Sequence, residues 1–436
     1  MGHYLGIDIG TSAVRCRVID EAEQQVAHSR AELPTADTQA ELAGSQQQDP
    51  RYWWEACVSA IRSLAAATDL SQIRALSIDA TSASTLLCDV NGQPLTPALM
   101  YNDSRAQAQA QTIAGIAPAG HVCASPNSAL AKALWLSASL PAGQRDNVII
   151  QHQADWIQGQ FSQVFGHSDI NNCLKLGFDA SHASWPRWIS RLPLANRAFP
   201  KVYAPGSVIA VIDGNRADQL GFARDCQIVA GTTDSTAAII AVGDLQAGDA
   251  VTALGSTLVV KVLSEREIAD AGYGVYSHYH FGRWLTGGAS NTGGAVLRQF
   301  FSLADIERLS AGIDPNSDCA LDYYPLLRPG ERFPIADPAL APRLSPRPSS
   351  DSEFLHGLML GVAKIEKLGY DRLYQLGAPY PSRVLTMGGG ANSELWRRLR
   401  ERVLGVKVEN VFDCEAAAGA ARLARLGYRS ISRIPQ

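Results

Sequence analysis

The chain has 436 residues, 46% of them hydrophobic and 18% charged, with a formal net charge of -4. That length exceeds one compact core and suits two domains of roughly 200 residues each. The slight acidity excludes a broad basic surface for nucleic acid or an anionic membrane, so any polyanion it takes is small and held locally. Eight scattered cysteines without a C-x-x-C pair argue against a zinc knuckle or a redox pair. The first residues carry no secretory-signal pattern, and no apolar run approaches the roughly 18 residues of a membrane span. The expected location is a reducing cytoplasm, with the cysteines as small core residues.

Tyr4 to Ile9 reads as an apolar strand and Gly10-Thr11-Ser12 as a turn. The next strand carries Val14, Cys16 and Val18 on one face and Arg15 and Arg17 on the other. A third strand is expected near Val26 to Leu33. Asp49-Pro50 then opens a helix with Trp54, Val58, Ile61 and Leu64 on one side. Ile73 to Asp79 is a further strand, running into Ala80-Thr81-Ser82. Three strands, a helix and a strand make the first half of an α/β domain. Farther on, the apolar strand at Ile228-Val229-Ala230 leads through Gly231-Thr232-Thr233 to Asp234, at the start of a helix through Ser235 to Ala241.

The second half repeats the opening. Ala250 to Leu254 is a strand, Gly255-Ser256-Thr257 a turn, Leu258 to Leu263 a strand, and a helix follows over Gly293 to Phe300. This weak repeat suggests two related domains gripping a ligand between equivalent hairpins. His278 and His280, at strand spacing, point to an edge strand rather than a metal site. Six prolines between Arg328 and Pro348 exclude a helix or a central strand there and predict a surface loop. A helix is expected from Glu353 to Lys367, with Leu355, Leu358, Met359 and Val362 on one face. Leu385-Thr386-Met387 then delivers a strand to Gly388-Gly389-Gly390-Ala391-Asn392, ahead of a helix over Leu395 to Val403.

Several of these residues carry chemistry. Asp8 stands in an apolar strand, where an unpaired carboxylate is costly; it either caps a tight hairpin or holds hydrated magnesium while Gly10, Thr11 and Ser12 face phosphate. Asp234 either caps its helix or acts as a general base toward a sugar hydroxyl. Gly255-Ser256-Thr257 and Gly287-Gly288 are hairpin turns or phosphate contacts. Gly388 to Gly390 is a plain loop or a close approach to adenine or ribose. Asp79, at a strand's carboxyl end, suits sugar hydroxyls. Tyr101-Asn102-Asp103-Ser104-Arg105 is either a polyol-binding edge or a local salt bridge. No G-x-x-x-x-G-K-[ST] and no G-x-S-x-G occurs, which excludes a P-loop NTPase.

Along its whole length the chain resembles the FGGY carbohydrate kinases. The resemblance rests on LGIDIGTSAVR, SIDATSAS, LMYNDSRA, KALWL, SDINNCLKLGFD, AGTTDSTAA, LGST, GERFPIADP and TMGGGAN, in family order. It implies an α/β fold of two actin/hexokinase-like (ribonuclease H-like) domains with a cleft between them. Residues 1–242, completed by 414–436, would form the sugar side and residues 243–413 the nucleotide side. It further implies transfer of phosphate from ATP with Mg2+. Asp234 would be the catalytic base and Asp8 the metal and phosphate organiser, the two sharing the metal, with Thr11 near the γ-phosphate. Ser12, Asp79 and Asp234 would face the sugar. Gly10, Thr11, Gly255, Ser256, Thr257, Gly293, Gly389, Gly390 and Asn392 would line the nucleotide, with Trp396 flanking adenine.

The chain is shorter than typical members, and Asp79-Ala80-Thr81-Ser82 stands where many xylulose kinases have Gln-Met-His-Gly. That segment, with Tyr101-Asn102-Asp103, looks like the ribulose kinase pattern. The expected reaction is therefore D-ribulose to D-ribulose 5-phosphate, with D-xylulose or another polyol as the alternative acceptor. Rivals of another class are a sugar-independent ATPase regulator and a sugar sensor without catalysis. The expected partners are a small-molecule sugar and ATP, with no nucleic acid or membrane, in a monomer or homodimer.

Overall fold

The computed structural model describes residues 2–37 and 44–431, in two units: residues of 1–243 together with 414–436, and residues of 244–413. Residues 432–436, at the end of the segment expected to complete the first domain, lie outside the described residues.

In the first unit, strict alternation decides which way each side chain goes. Strand β1 (His3–Ile9) sends Leu5, Ile7 and Ile9 into a core shared with Val14, Cys16 and Val18 of β2 (Ala13–Ile19). Tyr4, Gly6 and Asp8 take the opposite face. The sheet adds β3 (Gln25–Glu32), β4 (Ile73–Ala80), β5 (Val208–Val211) and β6 (Gln227–Thr233), in the order β5-β6-β4-β1-β2-β3. β1 runs antiparallel to β2 and parallel to β4, and β4 runs parallel to β6.

Helix α1 (Pro50–Ala65) starts where expected, with Pro50 in its first turn and the Asp49 carboxylate accepting from Arg51 N at 2.9 Å. Its buried stripe is Trp53, Cys57, Ala60, Ile61 and Leu64, so the expected inward Trp54 and Val58 are corrected by one position. Trp54 sits at the edge of the stripe, its ring edge-on to Phe161 and under the Arg216 guanidinium. Among the further helices of this part of the chain are α2 (Ala129–Ser139), α3 (Gln153–Ser162) and α4 (Asp234–Val242). A small four-stranded sheet formed by Gln47–Gln48, Ala98–Leu99, Thr85–Cys88 and Ile149–His152 stands apart from the main one.

The second unit holds β7 (Asp249–Leu254), β8 (Leu258–Ser264), β9 (Tyr276–His280), β10 (Arg283–Ser290), β11 (Arg383–Met387) and β12 (Lys407–Asn410), in the order β9-β10-β8-β7-β11-β12. The run β10-β8-β7-β11-β12 matches β3-β2-β1-β4-β6 strand for strand, two antiparallel pairings followed by two parallel ones. The internal repeat read from two short turns is thus a repeat of five of the six strands, the sixth lying at opposite edges of the two sheets.

β9 is the edge strand expected at His278 and His280, although both imidazoles are buried. Helix α5 (Gly294–Phe300) follows β10. Helix α6 (Asp351–Gln375) runs past the expected Lys367, because its apolar stripe continues through Tyr370 and Leu373. The proline-rich stretch forms no helix or long strand, and it buries Phe333 in this unit's core. α7 (Glu394–Leu404) lies between β11 and β12 in the chain.

The last helix, α8 (Ala416–Ile431), returns to the first unit and lies on β1, β4 and α4. Gly6 makes this possible, since a Cβ there would sit 1.9 Å from Ala417 O and 2.4 Å from Ala421 N. Arg429 pairs with Glu21 at 2.7 Å and Arg425 with Glu23 at 2.7 Å, pinning the helix to the β2–β3 turn. Among the described residues no helix is long and apolar enough to cross a membrane. All eight cysteines are free and six of them are buried.

Candidate active site

Register sets the acids together. Asp8 lies directly across from Arg15 in the β1–β2 hairpin, and on its other side beside Asp79 of the parallel strand β4. Thr232 of β6 is the next neighbour of Asp79, and Asp234 begins α4 two residues later. Three carboxylates thus stand at the carboxyl ends of three adjacent parallel strands, where α/β sheets gather ligands. Two of them, Asp8 and Asp234, border a pocket of about 510 Å3, with Arg15 and Lys175 as cations and hydroxyls from Thr11, Ser12, Thr81, Ser82 and Tyr101; Asp79 is not part of its lining.

The side chain of Asp8 is nearly buried and meets Arg15 Nη1 at 3.2 Å. Burial raises its pKa, and Arg15 opposes that rise. Asp79 is fully buried, and neither of its oxygens meets an N–H or a hydroxyl. Burial, followed by the charges of Asp8 and Asp234, pushes the Asp79 carboxyl well above the usual carboxylate range. Asp79, expected to face the sugar, is thus enclosed behind Asp8 and away from the pocket that Asp8 and Asp234 line.

Asp234 is the first residue of α4; Thr233 takes the cap position, with no side-chain cap bond. The Asp234 carboxylate accepts from Ser235 N at 2.6 Å and reaches the pocket. Of the two readings of Asp234, the plain helix cap is the one this geometry does not form. Of the five residues from Tyr101 to Arg105, only Tyr101 lines the pocket. Asp103 and Arg105 pair at 2.7 Å, Asp103 also accepts from Gln46 N at 2.7 Å, and the guanidinium lies 4.9 Å from the Trp135 ring. The polyol edge is therefore a buried ion pair with one exposed tyrosine.

Sequence reasoning missed Arg15 and Lys175 as pocket cations. For Arg15, the three-residue turn read from the sequence would set Val14 opposite Asp8; the hairpin instead pairs Ile9 with Val14, which brings Arg15 there. Lys175 had no local signal, because it reaches the pocket from a short 3-10 helix, Leu174–Leu176, far from the hairpin in the chain.

The second unit assembles the glycine residues at the matching end of its sheet. Gly255 N donates to Thr257 O at 3.1 Å within the β7–β8 turn, and Gly294 N donates to Gly255 O at 2.8 Å. Gly293 has φ 148°, and a Cβ on it would fall 2.6 Å from Ser256 O, so only glycine seats α5 against this turn. Gly388, with φ 87°, packs against Leu254 O, while Gly389 has open space about it and Asn392 is exposed. Arg298 Nη2 donates to Ser256 Oγ at 2.7 Å, bringing a cation to the turn. The result is a close-packed glycine corner with a cation and two hydroxyl residues beside it.

Two expectations for this unit are corrected. Trp396 is buried in the core, its indole donating to Met359 O at 3.0 Å, so its ring is taken up by packing rather than by adenine. Gly287 and Gly288 lie inside β10, paired with Lys261 and Val260, and form neither a turn nor a phosphate loop. A Cβ on Gly288 would meet the Phe333 ring at 2.5 Å, so its missing side chain makes room for that ring.

Acids and hydroxyls at strand ends in one unit, and a glycine corner at the matching strand ends of the other, equip a phosphotransferase for a polyhydroxylated acceptor. Residues 3–241 match the N-terminal domain of the FGGY family of carbohydrate kinases and residues 250–428 its C-terminal domain, so the chain belongs to that family. The chain is 25% identical over 446 residues to the xylulose kinase of Escherichia coli, covering 97% of this chain and 90% of that one. A structure described as a xyloylose kinase from Brucella ovis superposes with a TM-score of 0.87 at 21% identity, covering 98% and 91% of the two chains. Plasmodium falciparum glycerol kinase with ADP gives 0.86 at 15% identity, covering 99% and 90%. Proteins named for different acceptors share this fold, so the fold does not choose the sugar.

Proposed function

We propose that this protein transfers the γ-phosphoryl group of ATP to a terminal hydroxyl of a pentulose, with D-xylulose the leading acceptor and D-ribulose the second. The observation that carries the reading is the register that sets Asp8 beside Asp79, with Asp234 one strand farther on. Asp234 takes the proton of the attacking hydroxyl, whose oxygen bonds to the γ-phosphorus as the bond to the β-phosphate oxygen breaks and ADP leaves. Thr81, Ser82 and Tyr101 offer hydroxyls to the sugar, Thr11 and Ser12 face the transferring group, and Arg15 offsets its charge. The nucleotide takes the corner formed by Gly255, Ser256, Thr257, Gly293, Gly389 and Gly390.

Magnesium fits this donor set. Asp8 and Asp234 are hard oxygen ligands, and among the described residues no group of three or more His, Cys, Asp or Glu could hold a metal by itself. That suits an ion that keeps its waters and shares nucleotide phosphates. When bound, it neutralises phosphate charge, and Asp8 and Asp234 would hold it.

The names of the relatives favour D-xylulose. Asp79-Ala80-Thr81-Ser82, a carboxyl with two hydroxyls in place of an imidazole-bearing segment, favours D-ribulose. A coupled ADP-release assay with D-xylulose, D-ribulose and glycerol tests both. The expected outcome is a kcat/KM for one pentulose roughly tenfold or more above that for glycerol. ADP release indifferent to every sugar would sink the reading and favour a sugar-independent ATPase.

A further inference from the structure

Lys132 lies on α2 with its side chain fully buried, and no carboxylate bonds to its amine. Nζ instead donates to two backbone carbonyls, Ala83 O at 2.9 Å and Met100 O at 2.6 Å. These carbonyls belong to two different segments. One is the 81–84 loop, whose Thr81 and Ser82 line the pocket. The other is the turn at Met100, whose next residue, Tyr101, lines it as well.

Ala83 has φ 65°, a left-handed conformation costly for a residue with a Cβ. The loop therefore needs a hold, and the Lys132 bond falls on that residue. Farther along α2, Trp135 carries the Arg105 guanidinium, and Arg105 pairs with Asp103. One helix face thus clasps the whole turn at 100–105.

The chemistry of the amine fits this task. Burial brings the Lys132 pKa down to about 7, with Asp103 favouring the charge and Lys175 and Arg105 opposing it. A neutral amine has two N–H groups, and two carbonyls face it. A lysine reaching backbone rather than side chains fixes where two loops run.

We propose that Lys132 is a positioning residue for the acceptor: it ties the 81–84 loop to the turn at Met100 and so sets the wall that the sugar hydroxyls meet. This rests on the sugar-kinase reading above. The test is steady-state kinetics of full-length Lys132→Met, varying the sugar and ATP separately, together with a thermal melt. Removing both bonds is expected to raise KM for the pentulose roughly tenfold, with KM for ATP within about twofold of wild type. Lys132→Gln, whose amide keeps two N–H donors, is expected to recover most of the sugar KM and serves where Lys132→Met does not fold. An unchanged sugar KM overturns the inference, as does a rise of both KM values in step with a falling Tm. Wild-type protein that turns over no pentulose overturns the sugar-kinase reading instead, before any variant is compared.

Discussion

The two hairpins of this chain show how one backbone is given two jobs. Gly10-Thr11-Ser12 closes β1 and β2, and Gly255-Ser256-Thr257 closes β7 and β8, with the same strand order on either side. Counting back from the turn glycine, Asp8 corresponds to Ala253. Across the hairpin Arg15 corresponds to Val259, and on the parallel neighbour Asp79 corresponds to Met387. Three charged positions in the first unit are three apolar ones in the second. Both turns keep glycine and hydroxyls, and each has a guanidinium nearby, Arg15 within the first hairpin and Arg298 of α5 at the second. Only the first adds acids. The topology supplies the glycine-hydroxyl turn twice, and the side chains two residues from it make the two different.

The largest effect expected from this contrast is at Asp234. Asp234→Ala should lower kcat by about 100- to 10,000-fold, the range for losing a general base, while ADP binding by calorimetry stays near wild type. Near-normal turnover in that variant would mean that the first unit does not hold the base.

Much of this division was legible in the sequence, and the failures have physical reasons. Asp8, Asp79 and Asp234 stood out because a carboxylate among β-formers, followed by glycine and hydroxyls, contradicts simple burial. The matching turns exposed the repeat. Arg15 was put on the face opposite Val14, Cys16 and Val18 without a partner, because alternation within one strand does not give the register that sets it opposite Asp8. Trp396 was taken for a ligand contact, and Gly287-Gly288 for a turn. Their roles depend on distant partners, Met359 and Phe333, which no local pattern encodes. Lys132 appeared only as part of a motif, since its meaning lies in two carbonyls far from it in the chain. The acceptor is least legible of all, because it depends on a few hydroxyl contacts.

A smaller effect tests the comparison from the other side. Ala253→Asp gives the second hairpin the acid of the first. The added charge would meet nucleotide phosphate at the turn, and KM for ATP should rise roughly tenfold while the sugar KM holds. A sugar KM that rises instead would place the nucleotide elsewhere and remove the division between hairpins.

The smallest effect concerns how each unit holds its buried charges. In the second unit, burial works against the Arg400 guanidinium and Glu366, bonded to it at 2.6 Å and 2.7 Å, outweighs that cost, leaving the pKa raised. In the first unit, Lys132 has only carbonyls, and its pKa falls from 10.5 to about 7. Between those values the unfolded chain binds a proton that the folded chain does not. Stability should therefore rise with pH from about 7 toward 10.5, with a slope of at most about 1.4 kcal/mol per pH unit, and be flat in this respect below 7. Urea unfolding at pH 6, 7, 8 and 9 should show that rise in wild type and lose it in Lys132→Met. Parallel curves for the two proteins would mean that Lys132 keeps its proton in the fold, and that the first unit, like the second, satisfies its buried cation in full.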